Sequence, residues 1–125
     1  MLKVLLAIGS GSFLGGISRY LISKAIQNSI ASAFPFGTMW VNIFGCFLIG
    51  LLFGISDRGS LTNNELRLFL TVGFCGGFTT FSTFSAENMA MLRDGSFLHF
   101  TLYAGLSVFL GLAATFGGHA LTKIF

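Results

Sequence analysis

The sequence predicts an all-α membrane protein with four transmembrane helices and a break in the third. Three observations carry this. Hydrophobic residues make up 54% of the 125-residue chain and charged residues only 9%, where soluble domains carry about 25% charged residues. Apolar runs recur four times, each long enough for the roughly 20 residues that a bilayer needs. The third run is crowded with glycine and hydroxyl residues, Gly73-Phe74-Cys75-Gly76-Gly77-Phe78-Thr79-Thr80-Phe81-Ser82-Thr83-Phe84-Ser85. Glycines weaken a helix and hydroxyls replace lost backbone partners, so a break lining a polar path or an ion site is expected there. A β-barrel is excluded because these runs are continuous rather than alternating.

Span one covers residues 4–22, with Arg19 and Tyr20 as interfacial anchors near its far end. The opening Met1-Leu2-Lys3 resembles the start of a signal peptide, but no small-residue cleavage site comes after it, which favours a transmembrane helix. Span two covers residues 37–55, with Pro35 just before it as a start signal. Residues 56–60 form a turn-like linker, and the polar run 62–65 supplies caps for span three, residues 66–89, interrupted near Gly76. Arg93-Asp94-Gly95 makes a tight turn into span four, residues 97–121. All of residues 1–125 belong to one transmembrane domain, with no loop long enough for a second.

Positive charge divides almost evenly between the two sides. Lys3, Arg58, Arg67 and Lys123 fall on one, Arg19, Lys24 and Arg93 on the other. The positive-inside rule therefore gives no orientation. Two readings stand. Copies insert both ways up and pair antiparallel, or one charge or a partner fixes a single orientation. The basic residues are scattered, which excludes nucleic acid as a partner.

Gly11-Ser12-Phe13-Leu14-Gly15 is a GxxxG pattern, and Ser12 to Gly16 extends its small face. Its commonest meaning is close helix packing. Cys46 and Cys75 read as small buried hydrophobes, with no metal-ligand spacing to His99 or His119. Asn42 is a costly amide in an apolar span, either interhelical glue or a donor to a permeant anion. Phe81 and Phe84 share a helix face among hydroxyls, and their ring edges carry partial positive charge. Tyr103 and Ser107 share a face of span four and add donors. Arg19 and Glu87 sit near span ends, where snorkelling or an ion pair outweighs proton coupling. No nucleophile–base pair, paired carboxylates or phosphate loop is present, so an enzyme is not expected.

Three motifs in order now resemble the Fluc (CrcB) fluoride channels. These are Gly11 to Tyr20 with its terminal Arg19, the Gly37-Thr38 and Val41-Asn42 stretch, and the signature Gly73 to Phe84. The resemblance covers nearly the whole chain, with Phe13 and Trp40 bulkier than expected. It implies a multi-pass protein of the plasma membrane (the bacterial inner membrane) that forms an antiparallel dual-topology homodimer with two pores. It implies passive export of F⁻. Phe81, Phe84 and Asn42 match pore positions, Thr80, Ser82 and Thr83 the hydroxyl-rich segment, and Tyr103 and Ser107 polar positions of span four. Arg19 takes a structural place. A structural Na⁺ is implied at the span-three breaks, held by backbone carbonyls matching Gly76 and Thr79. The competing reading is a small antiparallel proton-coupled cation exporter using Glu87.

Overall fold

The structure, a computed structural model, describes residues 1–124. Helix α1 runs Leu2–Ser29, α2 Phe36–Asp57 and α3 Asn64–Leu68. A π-helical turn, Phe69–Cys75, continues from α3 and leads into the short α4, Gly76–Phe78. Helix α5 is Phe81–Arg93 and α6 Phe97–Leu121. No strand occurs among the described residues. Four segments are long and apolar enough to cross a membrane: Leu2–Ser29, Phe36–Asp57, Asn64–Arg93 and Phe97–Leu121. The protein is a multi-pass membrane protein.

Local signals place most of the ends. Pro35 precedes the first residue of α2, and the Asn63 side chain caps α3 by accepting from the Leu66 N–H at 2.9 Å. Gly59 and Gly95 turn the chain with φ of 75°, which a side chain would strain. Span one is longer than its apolar pattern. Its 28 residues reach about 42 Å at 1.5 Å per residue. The added turns are polar, and Gln27 ties them down. Its Nε2 donates to the carbonyls of Ser32 (2.9 Å) and Phe34 (3.1 Å), and its Oε1 accepts from the Gly37 N–H (3.0 Å). One amide thus fixes the whole connection from α1 to α2.

The helices pair through small residues. On α1, a Cβ added at Gly11 would strike the Phe69 carbonyl, and one at Gly15 the Phe74 carbonyl. Opposite them, a Cβ at Gly73 would lie 2.9 Å from the Ile8 carbonyl, and one at Gly77 2.6 Å from that of Ser12. Two Gly-x-x-x-Gly faces therefore interlock backbone to backbone, as close membrane packing requires. The Ser12 hydroxyl donates to the Gly73 carbonyl across this seam, at 3.3 Å.

Helices α2 and α6 form the second seam. A Cβ at Gly50 would strike the Thr115 carbonyl, at Gly118 the Phe47 carbonyl, and at Gly54 the Thr122 side chain. The Thr115 hydroxyl donates to the Cys46 carbonyl at 3.2 Å. Phe34, Met39, Met91 and Tyr103 make a small buried cluster at one end of the bundle. Phe13, Trp40, Phe53, Phe109 and Phe116 face outward. In a bilayer that outer surface meets acyl chains rather than water, so its exposure carries no hydrophobic penalty.

Other glycines of α1 lie off the seam. A Cβ at Gly9 or Gly16 meets nothing within 4 Å. Gly15→Val should overpack the α1 seam and cost about 1–3 kcal/mol, while Gly9→Ala stays near neutral. Thermal unfolding of the two variants in detergent checks this; equal midpoints would contradict the seam.

Candidate functional site

The site grows from two residues. Thr79 (φ −91°, ψ 155°) and Thr80 (φ −147°, ψ 122°) are extended between α4 and α5. Gly76 keeps helical angles, φ −63° and ψ −37°. The local sequence favours this placement. β-Branched hydroxyl residues are poor in helix interiors and good at helix starts. Thr80 accordingly caps α5, its Oγ1 accepting from the Thr83 N–H at 3.2 Å and lying 3.2 Å from the Thr83 hydroxyl and 3.4 Å from that of Ser82. Thr79 turns its hydroxyl back to the Cys75 carbonyl at 2.9 Å.

Extended backbone inside a membrane span needs partners, and Asn42 supplies them. Its Oδ1 accepts from the Thr80 N–H at 2.8 Å, and its Nδ2 donates to the Thr80 carbonyl at 3.1 Å. The side chain clamps both polar groups of one residue. An amide nitrogen carries two hydrogens, and the Thr80 carbonyl takes one. Asn42 thus acts as interhelical glue, and its amide keeps one further N–H.

Around the clamp lies a cleft of about 390 Å³. Its lining includes Asn42, Thr79, Thr80, Phe81, Phe84, Gly76 and Ser107. The Phe81 and Phe84 ring centroids are 5.7 Å apart and tilted by 39°. Phe81 is 78% exposed, so its ring stands free on the open side. Ser107 also lines the cleft, and its hydroxyl is buried without a hydrogen-bond partner. Seven expected positions from three separate spans thus meet at one cleft, and Ser82 and Thr83 join it through Thr80.

Tyr103 lies elsewhere. It is fully buried, and its hydroxyl donates to Glu87 Oε1 at 2.7 Å. Thr38 donates to the other carboxylate oxygen at 3.0 Å. Helices α2, α5 and α6 are joined by this one carboxylate. Tyr103 still reaches the phenylalanine pair, since its ring centroid lies 5.0 Å from that of Phe84. Sequence reasoning missed Thr38, and nothing local marks it, because its partner stands 49 residues away.

Among the described residues, Arg19 forms no ion pair with Glu87; its Nε donates to the Gly77 carbonyl at 3.2 Å. That carbonyl belongs to the last turn of α4, where helix ends present unsatisfied acceptors and favour a cation. The partner of Arg19 in the third span is thus a backbone group. Arg19 also lines a second, polar cleft of about 680 Å³ shared with Lys24, Thr83 and Glu87.

A four-span bundle with a clamped, extended segment and a donor-lined cleft defines a class of membrane protein, and the chain's sequence gives its kin. The chain belongs to the CrcB family: the family described as "CrcB-like protein, Camphor Resistance (CrcB)" matches residues 6–119. It is similar to proteins named fluoride-specific ion channel FluC. That of Chlorobium phaeobacteroides is 45% identical over 120 residues, covering 96% of this chain and 93% of the relative. That of Chlorobaculum tepidum is 44% identical, covering 99% and 98%. That of Flavobacterium psychrophilum is 43% identical, covering 98% of each.

The clamp makes a direct prediction. Asn42→Ala strands both polar groups of Thr80, at about 1–3 kcal/mol for each unsatisfied group. The melting temperature of the purified protein should fall clearly, and an unchanged one would show that the clamp contributes nothing.

Proposed function

We propose that this protein is a fluoride-selective channel of the bacterial inner membrane, working as an antiparallel, dual-topology homodimer with two pores. The observation that carries the reading is the donor-lined cleft. Asn42, Ser107 and the Thr80 hydroxyl group gather beside two phenylalanine rings. Fluoride is small and strongly hydrated, so a pore must replace its water with closely spaced donors. Amide and hydroxyl hydrogens and ring edges do this without the deep trap of a fixed ammonium. Chloride, being larger, fits a narrow bore poorly and uses such donors less well. The names of the relatives agree with this chemistry.

The direction comes from ordinary physics. Neutral HF crosses lipid from acidic surroundings and dissociates in the cytoplasm. A negative-inside potential then drives F⁻ out, at about 2.3 kcal/mol per charge per 100 mV. No ATP is needed. The balanced charge of the two sides supports insertion both ways up. Gly16, Gly76, Gly105 and Gly117 have no neighbour within 4 Å of an added Cβ, which leaves room for close approach by a second copy.

A structural Na⁺ fits the carbonyls of Gly76 and Thr79. In a continuous helix these would accept from the N–H groups of Thr80 and Thr83. Here the Thr80 N–H goes to Asn42 and the Thr83 N–H to the Thr80 hydroxyl. Both carbonyls are thereby deprived of those helical donors, and unwound carbonyls suit a hard cation. Bound there, the ion would neutralise converging carbonyl dipoles between two copies. Arg19 takes the Gly77 carbonyl out of that set.

Flux tests the reading. Liposomes loaded with potassium fluoride or potassium chloride are opened to potassium with valinomycin, and efflux is monitored by electrode. Fluoride should leave rapidly and chloride negligibly; equal rates would sink the proposal. Phe84→Ala and Asn42→Asp should each slow fluoride by at least about tenfold, equivalent to about 1.4 kcal/mol in the barrier. Glu87→Gln distinguishes the proton-coupled alternative. Because two neighbouring helices hold Glu87 by hydrogen bonds, we expect fluoride flux in that variant to stay independent of an imposed proton gradient. Wild-type flux that tracks the gradient and collapses in Glu87→Gln would favour the exporter.

A further inference from the structure

We infer that Cys46 and Cys75 together form a binding site for a thiol-seeking divalent cation that accepts two ligands, of the mercury(II) type. The residues belong to different elements, α2 and the end of the π-helical turn, yet both line the 390 Å³ cleft. Both are unpaired thiols.

Two neighbouring contacts fix their level. Asn42 holds Thr80, and a Cβ on Gly45 would strike the Thr79 side chain. Consecutive spans run in opposite directions. One turn forward from Asn42 reaches Cys46 and one turn back from Thr80 reaches Gly76, the neighbour of Cys75, so the two cysteines stand within a residue of one level. Ile49 and Thr71, about one turn further along each element, line the same cleft. Cys46 is half-buried and Cys75 buried.

The donor set selects the ion. Zinc prefers four ligands, and no group of three His, Cys, Asp or Glu side chains occurs among the described residues. Two sulfurs complete the shell of a linear, two-coordinate ion. As each S–metal bond forms, the S–H bond breaks and its proton leaves, two in all. No electron is transferred. A divalent ion with two thiolates is neutral, which an apolar cleft accepts, whereas a monovalent ion would leave a net negative charge there.

The test uses the full chain in detergent, titrated with mercuric nitrate. Bound metal, remaining reactive thiols and released protons are counted. We expect one metal per chain, both thiols protected and two protons released. Cys46→Ser and Cys75→Ser should each weaken binding by about 100-fold, the loss of the second, tethered ligand. Cys46→Ala and Cys75→Ala, checked for folding by gel filtration, serve if a serine variant fails. Two metals per chain, or single-cysteine variants with undiminished affinity, would overturn the shared site. Binding is read on metal and thiols, so it stands apart from the channel reading. Fluoride efflux unchanged in liposomes with one metal bound per chain would overturn the cleft as the conduction path, not the metal site.

Discussion

A bilayer interior offers no water to a backbone group that leaves a helix, and everything distinctive in this protein depends on how it meets that constraint at Thr79 and Thr80. Each stranded N–H or carbonyl there would cost several kcal/mol in hydrocarbon. Asn42 satisfies both polar groups of Thr80 from a neighbouring span, the Thr80 hydroxyl caps α5, and Arg19 covers the Gly77 carbonyl. An extended segment persists in the membrane only because three separate side chains hold it. The same groups then line the cleft, so the repair of the backbone and the construction of the site are one event.

The second requirement is proximity. For Asn42 to reach Thr80, α2 and the third span must approach closely, and Gly45 allows this because any side chain there would strike Thr79. The glycine seams elsewhere serve the same end. Two interlocked Gly-x-x-x-Gly faces bring α1 against the π-helical turn, close enough for Ser12 and Arg19 to donate to carbonyls of the third span. A π-helical turn shifts the register of the residues beyond it, which lets α4 end beside Arg19. Packing by small residues thus sets the distances over which the polar groups act.

Glu87 shows how context assigns a role that residue type leaves open. A carboxylate in a span is by default a functional group. Here Tyr103 and Thr38 each give it a hydrogen bond, and the three residues tie together α2, α5 and α6. Glu87 stands one turn beyond Phe84 on α5, and Tyr103 packs on the Phe84 ring. The triad therefore holds the helix that carries the phenylalanine pair.

Composition and spacing determined a great deal alone. The four spans were legible because apolar runs of membrane length leave no other soluble or barrel solution, and span four begins and ends at Phe97 and Leu121 as its pattern says. The turns at Gly59 and Gly95 and the caps near Asn63 were legible because their chemistry is local. The polar extension of α1 was not, since Gln27 stabilises it through residues beyond the apolar stretch. The candidate site was visible as residue types: Asn42, the hydroxyl run and the paired phenylalanines. Their use of one another was not. That Asn42 grips Thr80, that Tyr103 turns to Glu87 and that Arg19 seeks a carbonyl are contacts between spans. Tertiary structure alone decides them, because the helices must first approach before a buried polar group can choose its partner.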